Sequence, residues 1–146
     1  MRISRKAEYA LRALVALARH GRPLQIGELS RVENIPVKFL EQILLALRND
    51  GFLASKRGVG GGYALKRRAD KIAVGAVVRT LDGPVAPLPC AATASSDVPC
   101  SCPDPRTCPI RSLMTELHGE INALLDARTI DDLAKMNVDQ ALAFVI

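Results

Sequence analysis

The sequence predicts a mainly α protein with a small β wing, arranged as a winged helix-turn-helix with one long helix behind it. Three observations predict this. Apolar residues recur at helical spacing in three successive segments of the first 50 residues, with a tight turn, Asn34-Ile35-Pro36, between the second and third. Two short extended runs then flank a basic, glycine-rich segment, as in a hairpin with a flexible tip. Far downstream, seven apolar residues from Ile110 to Leu125 form one stripe on a helix that follows a cysteine-bearing loop.

The first helix is capped by Ser4 and carries Ala7, Ala10, Leu11, Leu14, Leu17 and Ala18 on its apolar side. His20-Gly21-Arg22-Pro23 ends it. The second runs from about Ile26 to Glu33, with Ile26, Leu29 and Val32 expected inward. Pro36 suits the first turn of the third, which reaches about Asp50. Leu40, Ile43, Leu44 and Leu47 form its buried face, and Lys38, Glu41, Gln42, Leu45 and Arg48 its exposed one. Gly51 stops it. Phe52–Ser55 and Tyr63–Leu65 are the hairpin strands, joined through Lys56-Arg57-Gly58-Val59-Gly60-Gly61-Gly62. Ile72-Ala73-Val74 suits a small further strand and Gly75 to Leu81 a fourth helix, broken by Asp82-Gly83-Pro84. Residues 84–108 are rich in Pro, Ala, Ser and Cys without apolar periodicity, so they do not fold alone. Pro109 starts the long helix, whose stripe is Ile110, Leu113, Met114, Leu117, Ile121, Leu124 and Leu125. Asp131-Asp132-Leu133-Ala134 suits a last short helix, and a loosely held tail is expected after it. The division expected is 1–83, 84–108, 109–136 and a tail, 137–146.

Composition narrows the function. The chain has 146 residues, 49% hydrophobic and 24% charged, which excludes a disordered chain. Four Cys are too few for a disulfide scaffold of this length. The formal charge is +5, but it is divided: residues 1–70 hold 14 Lys+Arg against 6 Asp+Glu, a net +8, and residues 71–146 hold 6 against 9, a net −3. A basic half suggests an anionic polymer or surface as partner, against the blander reading of a solvated basic face. Glu8 and Arg12 interrupt the N-terminal apolar stretch, so it does not read as a signal peptide, and no run approaches the length of a membrane span. A cytoplasmic protein without membrane contact is expected. There is no nucleophile–base pair, no paired-carboxylate site and no cofactor loop, so an enzyme is not expected. The glycine-rich segment sits inside a hairpin and lacks the Lys-Ser/Thr ending of a phosphate-binding loop.

The pattern suits double-stranded DNA. A helix about 10–12 Å across enters the ~12 Å major groove and presents its exposed side chains to base edges. Lys38, Glu41, Gln42 and Arg48 are the candidates on that helix. Lys56 and Arg57 of the wing can follow the backbone or enter the minor groove, while Gly58, Gly60 and Gly61 bring backbone amides close to phosphate.

Pro36-Val37-Lys38-Phe39-Leu40-Glu41-Gln42-Ile43-Leu44, Leu47-Arg48-Asn49-Asp50-Gly51 and Ser55-Lys56-Arg57-Gly58-Val59-Gly60-Gly61-Gly62-Tyr63-Ala64-Leu65 closely resemble the IscR- and NsrR-like family of winged-helix iron–sulfur regulators. Met1-Arg2-Ile3-Ser4, Tyr9-Ala10 and Ile72-Ala73-Val74-Gly75 fit it as well, and the resemblance extends to about residue 135. It implies a winged helix-turn-helix domain plus a long dimerisation helix, and a homodimeric repressor or regulator on a pseudo-palindromic operator. The cluster state would alter DNA binding in response to redox state, nitric oxide or iron supply.

All four Cys, at 90, 100, 102 and 108, fall within that loop or at its end. Soft thiolates suit iron–sulfur clusters or zinc, and Cys108, just before Pro109, lies at a helix N-terminus that favours a thiolate. The resemblance implies Cys90, Cys102 and Cys108 as cluster ligands. The chain departs from it at Arg111, where IscR-like proteins carry a ligating His, and in having Cys100 as a fourth Cys. Cys100, or Glu8 from a partner protomer at the position of the NsrR-like carboxylate ligand, would complete the set. Glu8 can equally be a solvated carboxylate beside Arg5 and Arg12. The spacing leaves a 2Fe–2S or a 4Fe–4S cluster open. The alternative is a cluster-free regulator that senses thiols or a partner. His20, at a helix end, and His118, off the stripe, read as neither ligand nor catalyst.

Overall fold

The computed structural model describes residues 2–92 and 100–136. The expected tail, and the part of the loop between 92 and 100, lie outside the described residues. The elements are α1 (Arg5–His20), α2 (Ile26–Glu33), α3 (Val37–Asn49), β1 (Leu53–Lys56), β2 (Gly62–Leu65), α4 (Val74–Asp82), α5 (Pro109–Ala127) and α6 (Ile130–Lys135). Short 3-10 turns at Ala69–Lys71 and Pro89–Ala91 precede α4 and the loop's described end.

Local chemistry sets the boundaries. The Ser4 hydroxyl accepts from the Ala7 amide and caps α1. Asn34, at φ 50°, turns the chain out of α2. Pro36 sits one place earlier than expected, as the N-cap of α3, with its carbonyl accepting from the Phe39 and Leu40 amides. Past Asp50, the Gly51 amide donates to the Arg48 carbonyl and the Phe52 amide to that of Leu47, the paired bonds of a Schellman ending.

One core joins α1, α3 and the wing's base: Ala10, Leu14, Leu17, Leu24, Leu29, Ile35, Leu40, Ile43, Leu44, Leu47 and Leu53 are all buried in it. The four expected inward residues of α3 are all there. Val32 is not; it is 46% exposed. The two-turn α2 buries only Leu29, and the reversal at Asn34 delivers Ile35 to the core instead. Ile72-Ala73-Val74 does not make a strand of the wing sheet. Ala73 forms a lone antiparallel bridge with Thr129, flanked by bonds from the Val74 amide to Arg128 and the Ile130 amide to Ile72. α4 begins at Val74, leaving too little extended chain for a strand. That bridge carries Ile130 into the main core, so α6 packs on α1. A second cluster of Val74, Val78 and Val85 is covered by Ile121 and Leu125 of α5 and by Leu11 and Leu133.

The strands β1 and β2 pair antiparallel, with Leu53 opposite Leu65 and Lys56 opposite Gly62. The wing is tied back by a bridge between Tyr63 and Leu24, with N–H···O distances of 2.8 and 3.0 Å. Gly62 makes this possible. Its φ is 133°, and a Cβ there would overlap the Leu24 carbonyl.

Candidate nucleic-acid interface and cysteine loop

On α3, Leu40, Ile43, Leu44 and Leu47 are buried while Lys38, Glu41, Gln42, Leu45 and Arg48 are exposed. At 100° per residue, Lys38, Gln42 and Leu45 lie opposite the buried face, with Glu41 and Arg48 along one flank. Phe39 lies on the other flank and is 59% exposed. Its ring meets that of Tyr9 edge-on, with centroids 6.4 Å apart. The guanidinium groups of Arg12 and Arg5 lie 5.5 and 6.0 Å from the Tyr9 centroid. The sequence reading left Phe39 out because it sought hydrogen-bonding and charged side chains. Its signal was there: a large apolar residue off the period of the buried face.

In the wing, Lys56, Arg57, Gly58 and Gly60 are exposed, and Val59 at the tip is fully so. Gly61 differs: it is buried, and its amide donates to the Gly58 carbonyl at 3.0 Å, closing the tip on itself.

The cysteine loop begins in the turn Pro89–Ala91, which holds Cys90 half-buried, and ends where Cys108 forms the N-cap of α5. The Cys102 and Cys108 sulfurs are 3.6 Å apart, and the Cys102 amide donates to the Cys100 sulfur at 3.5 Å. Backbone N–H groups at the start of α5, that of Arg111 first, stabilise the Cys108 thiolate and pull its pKa below the ordinary thiol value. The Cys102 thiol, hydrogen-bonded first to Cys100 and then to Cys108, is pushed up to about 12. Cys108 therefore takes the charge of the pair and Cys102 keeps the proton. A tetrahedral site with metal–sulfur bonds of about 2.3 Å spaces its sulfurs by about 3.8 Å, so this pair has the spacing and chemistry of two ligands. Among the described residues, no three ligand-type side chains form a metal-holding group. Beside Cys108, a cleft of about 470 Å³ runs between the loop and α5, lined by Arg106, Arg111, Thr115 and His118 among others.

Glu8 is partly exposed on α1 and pairs with Arg5 at 3.0 Å and Arg12 at 3.7 Å. Of the α5 stripe, Ile121 and Leu125 pack within the chain on Val74, Val78 and Val85, and Met114 is half-buried. Ile110, Leu113, Leu117 and Leu124 are exposed. The stripe is broad enough around the helix to serve both sides. His20 caps its own helix end, with Nδ1 2.8 Å from the Ala16 carbonyl. Among the described residues no helix is long and apolar enough to cross a membrane.

A helix-turn-helix with a basic wing and a cysteine loop beside a long helix defines a winged-helix transcription regulator. Comparison with known proteins agrees. The family model Rrf2, described as "Iron-dependent Transcriptional regulator", matches residues 3–136. A putative HTH-type transcriptional regulator, rrf2-like, from Rhodobacter capsulatus is 39% identical over 90% of this chain and 91% of its own. The HTH-type transcriptional regulator IscR of Pectobacterium atrosepticum is 33% identical over 91% of this chain and 79% of its own. The solved structure of CymR, described as "the Global Cysteine Regulator of B. subtilis", is similar with a TM-score of 0.74 at 30% identity, covering 92% of this chain and 96% of that one. The chain belongs to the Rrf2 family. It is a DNA-binding transcriptional regulator of the winged-helix type and not an enzyme.

Proposed function

We propose that the protein is a homodimeric repressor whose operator binding is set by an iron–sulfur cluster held in the cysteine loop. The observation that carries this is the Cys102–Cys108 sulfur pair at ligand spacing on the N-terminus of α5. The iron-dependence in the family's description supports it. Cys90, Cys102 and Cys108 would hold the cluster, with Cys100 or Glu8 of the partner subunit as fourth ligand. When bound, the cluster supplies a centre that reacts with oxidants and nitric oxide. Cys108 contributes a thiolate already stabilised by backbone donors, and Cys102 reaches the same point by losing its proton on ligation. Lys38, Glu41, Gln42 and Arg48 would face the major groove, with Lys56, Arg57, Gly58 and Gly60 along the backbone or minor groove, while Gly61, whose amide is taken by the Gly58 carbonyl, would shape the tip and not contact phosphate. Ile110, Leu113, Leu117 and Leu124 would form the dimer seam, with Met114, Ile121 and Leu125 on its inner edge. In this scheme 1–83 reads DNA, 84–108 senses, and 109–136 dimerises while α6 docks back on α1.

Anaerobic purification tests it. The protein should be brown, contain iron and sulfide, and bleach under oxygen or nitric oxide. Colourless protein with stoichiometric zinc would sink the reading.

The unequal thiols of the same pair favour a second reading, a dithiol switch without iron. Mass spectrometry of aerobic protein separates the two, since this reading requires a Cys102–Cys108 disulfide and no iron.

A further inference from the structure

We propose that Phe39 is a specificity-determining residue that reads the C5-methyl group of a thymine in the operator. The inference rests on the major-groove placement of α3 proposed above. Phe39 is the third residue of α3, in the N-terminal turn that reaches base edges when a recognition helix docks. It lies about 60° around the helix from Gln42. Its side chain is 59% exposed, an unfavourable place for a phenyl ring in water. The ring meets that of Tyr9 edge-on, with centroids 6.4 Å apart. Tyr9 is itself flanked by the guanidinium groups of Arg5 and Arg12. Arg5 and Arg12 are paired with Glu8 and Glu33, so what the first turn of α3 offers a base edge at this position is an exposed apolar ring edge, and that suits an apolar group. The thymine methyl is the only such group on the major-groove edges of the four bases. Gln42 alongside has the side chain that pairs with adenine N6 and N7, so the two residues together favour an A/T-containing step.

The test selects sites for the full-length protein from a random-sequence duplex library, then replaces each thymine of the enriched site in turn by uracil, which removes only the methyl group. At one thymine per half-site the replacement should weaken binding about fourfold, the worth of one buried methyl. Phe39→Ala should bind the thymine and uracil sites equally, and Phe39→Leu should restore part of the discrimination. Circular dichroism confirms that the exposed-site variants fold. Equal thymine–uracil discrimination in wild type and Phe39→Ala, or no methyl-sensitive position in wild type, overturns the assignment while leaving DNA reading intact. A library that enriches no sequence overturns the DNA-reading placement of α3 and this inference with it.

Discussion

Gly62→Ala should cut the wing loose from the body of the protein. At φ 133° a non-glycine residue carries about 1–3 kcal/mol of strain. Its Cβ would also overlap the Leu24 carbonyl, the acceptor of the Tyr63 amide. Relief of that overlap separates Leu24 from Tyr63 and breaks both bonds of their bridge, at about 1 kcal/mol each. The sum is about 3–5 kcal/mol, and for a chain of this size about 6–20 °C in Tm if the loss is global. If the wing opens locally, the fall in Tm is smaller, and the damage appears as fast hydrogen exchange at the Leu24 and Tyr63 amides. Either way Lys56 and Arg57 lose their fixed position, so DNA affinity falls. Gly60→Ala is the control. Gly60 has φ 71° with nothing within 4 Å, so only the left-handed penalty of about 1–2 kcal/mol applies. A Gly62→Ala protein with wild-type Tm, amide protection and DNA affinity would refute the role given to this bridge.

Arg57→Ala should weaken binding to operator and random DNA alike and lower the slope of log K against log salt by about 0.9, one phosphate contact; an unchanged slope removes Arg57 from the backbone contacts. In metal-free protein at neutral pH, iodoacetamide should label Cys108 before Cys102, because backbone donors stabilise the Cys108 thiolate while Cys102 holds its proton to about 12; the order is read from alkylated peptides, and labelling of Cys102 first contradicts it. Leu117→Ala should raise the dimer dissociation constant about thirtyfold: with 42% of Leu117 still to be buried, each protomer loses about 1 kcal/mol. Analytical ultracentrifugation showing no change would take Leu117 out of the seam. Asp132 accepts from the Thr129 amide and hydroxyl, both at 2.8 Å, and the amide first holds its carboxyl below the usual range. A folded-state pKa lowered in this way gives stability that is present above the unfolded-state value, about 4, and is lost as pH falls through the folded one. The protection factor of the Ile130 amide, its exchange rate taken relative to the intrinsic rate at each pH, should therefore fall on acidification, and more so in wild type than in Asp132→Ala.

The helical half was legible because its signals are local. The repeats of α1 and α3, the Ser4 cap and the Gly51 stop each act within a few residues, and all appear in the fold. What sequence could not supply was competition between distant segments for one position. Val32 lost its inward place to Ile35 once Asn34 adopted positive φ. Ala73 paired with Thr129, 56 positions away, and not with the wing. The α5 stripe was read as one surface, although its Ile121 and Leu125 edge packs against the Val74–Val78–Val85 cluster. The exposure of Lys38, Glu41, Gln42 and Arg48 was legible from the period of α3, whereas that of Phe39 and its contact with Tyr9 were not, because a period-based reading assigns an off-period aromatic no place. The cysteines stood out by clustering, and the spacing of Cys102 and Cys108 already marked them as a pair; their sulfurs lie 3.6 Å apart.

The same long-range contacts dictate how a change in the loop reaches the DNA-reading half. The loop leaves α4 just after Asp82, whose carboxylate accepts from both the amide and the hydroxyl of Ser4, the cap of α1. It returns at Cys108, the cap of α5. Farther along, α5 is clamped to α4: Arg79 donates to Asn122 at 3.0 Å and to Asp126, and Asn122 donates to the Val85 carbonyl. At Gly75 the two helices are so close that a Cβ would overlap the Asp126 carboxylate. The two ends of the loop are therefore held unequally. The Asp82 end is locked to α1 by two hydrogen bonds and by Val85 in the second cluster. The Cys108 end enters a helix whose first turns expose Ile110 and Leu113 and lie beside the Pro89–Ala91 turn, while its side-chain hydrogen bonds to α4 come lower down, at Asn122 and Asp126. If the loop senses as proposed, a pull at its Cys108 end would act first on the N-terminal turns of α5, above the Arg79 clamp, and not on the α1 cap. In the proposed dimer joined along α5, such a movement would change the spacing of the two α3 helices without altering either one, and a dimer reads two half-sites at a fixed spacing.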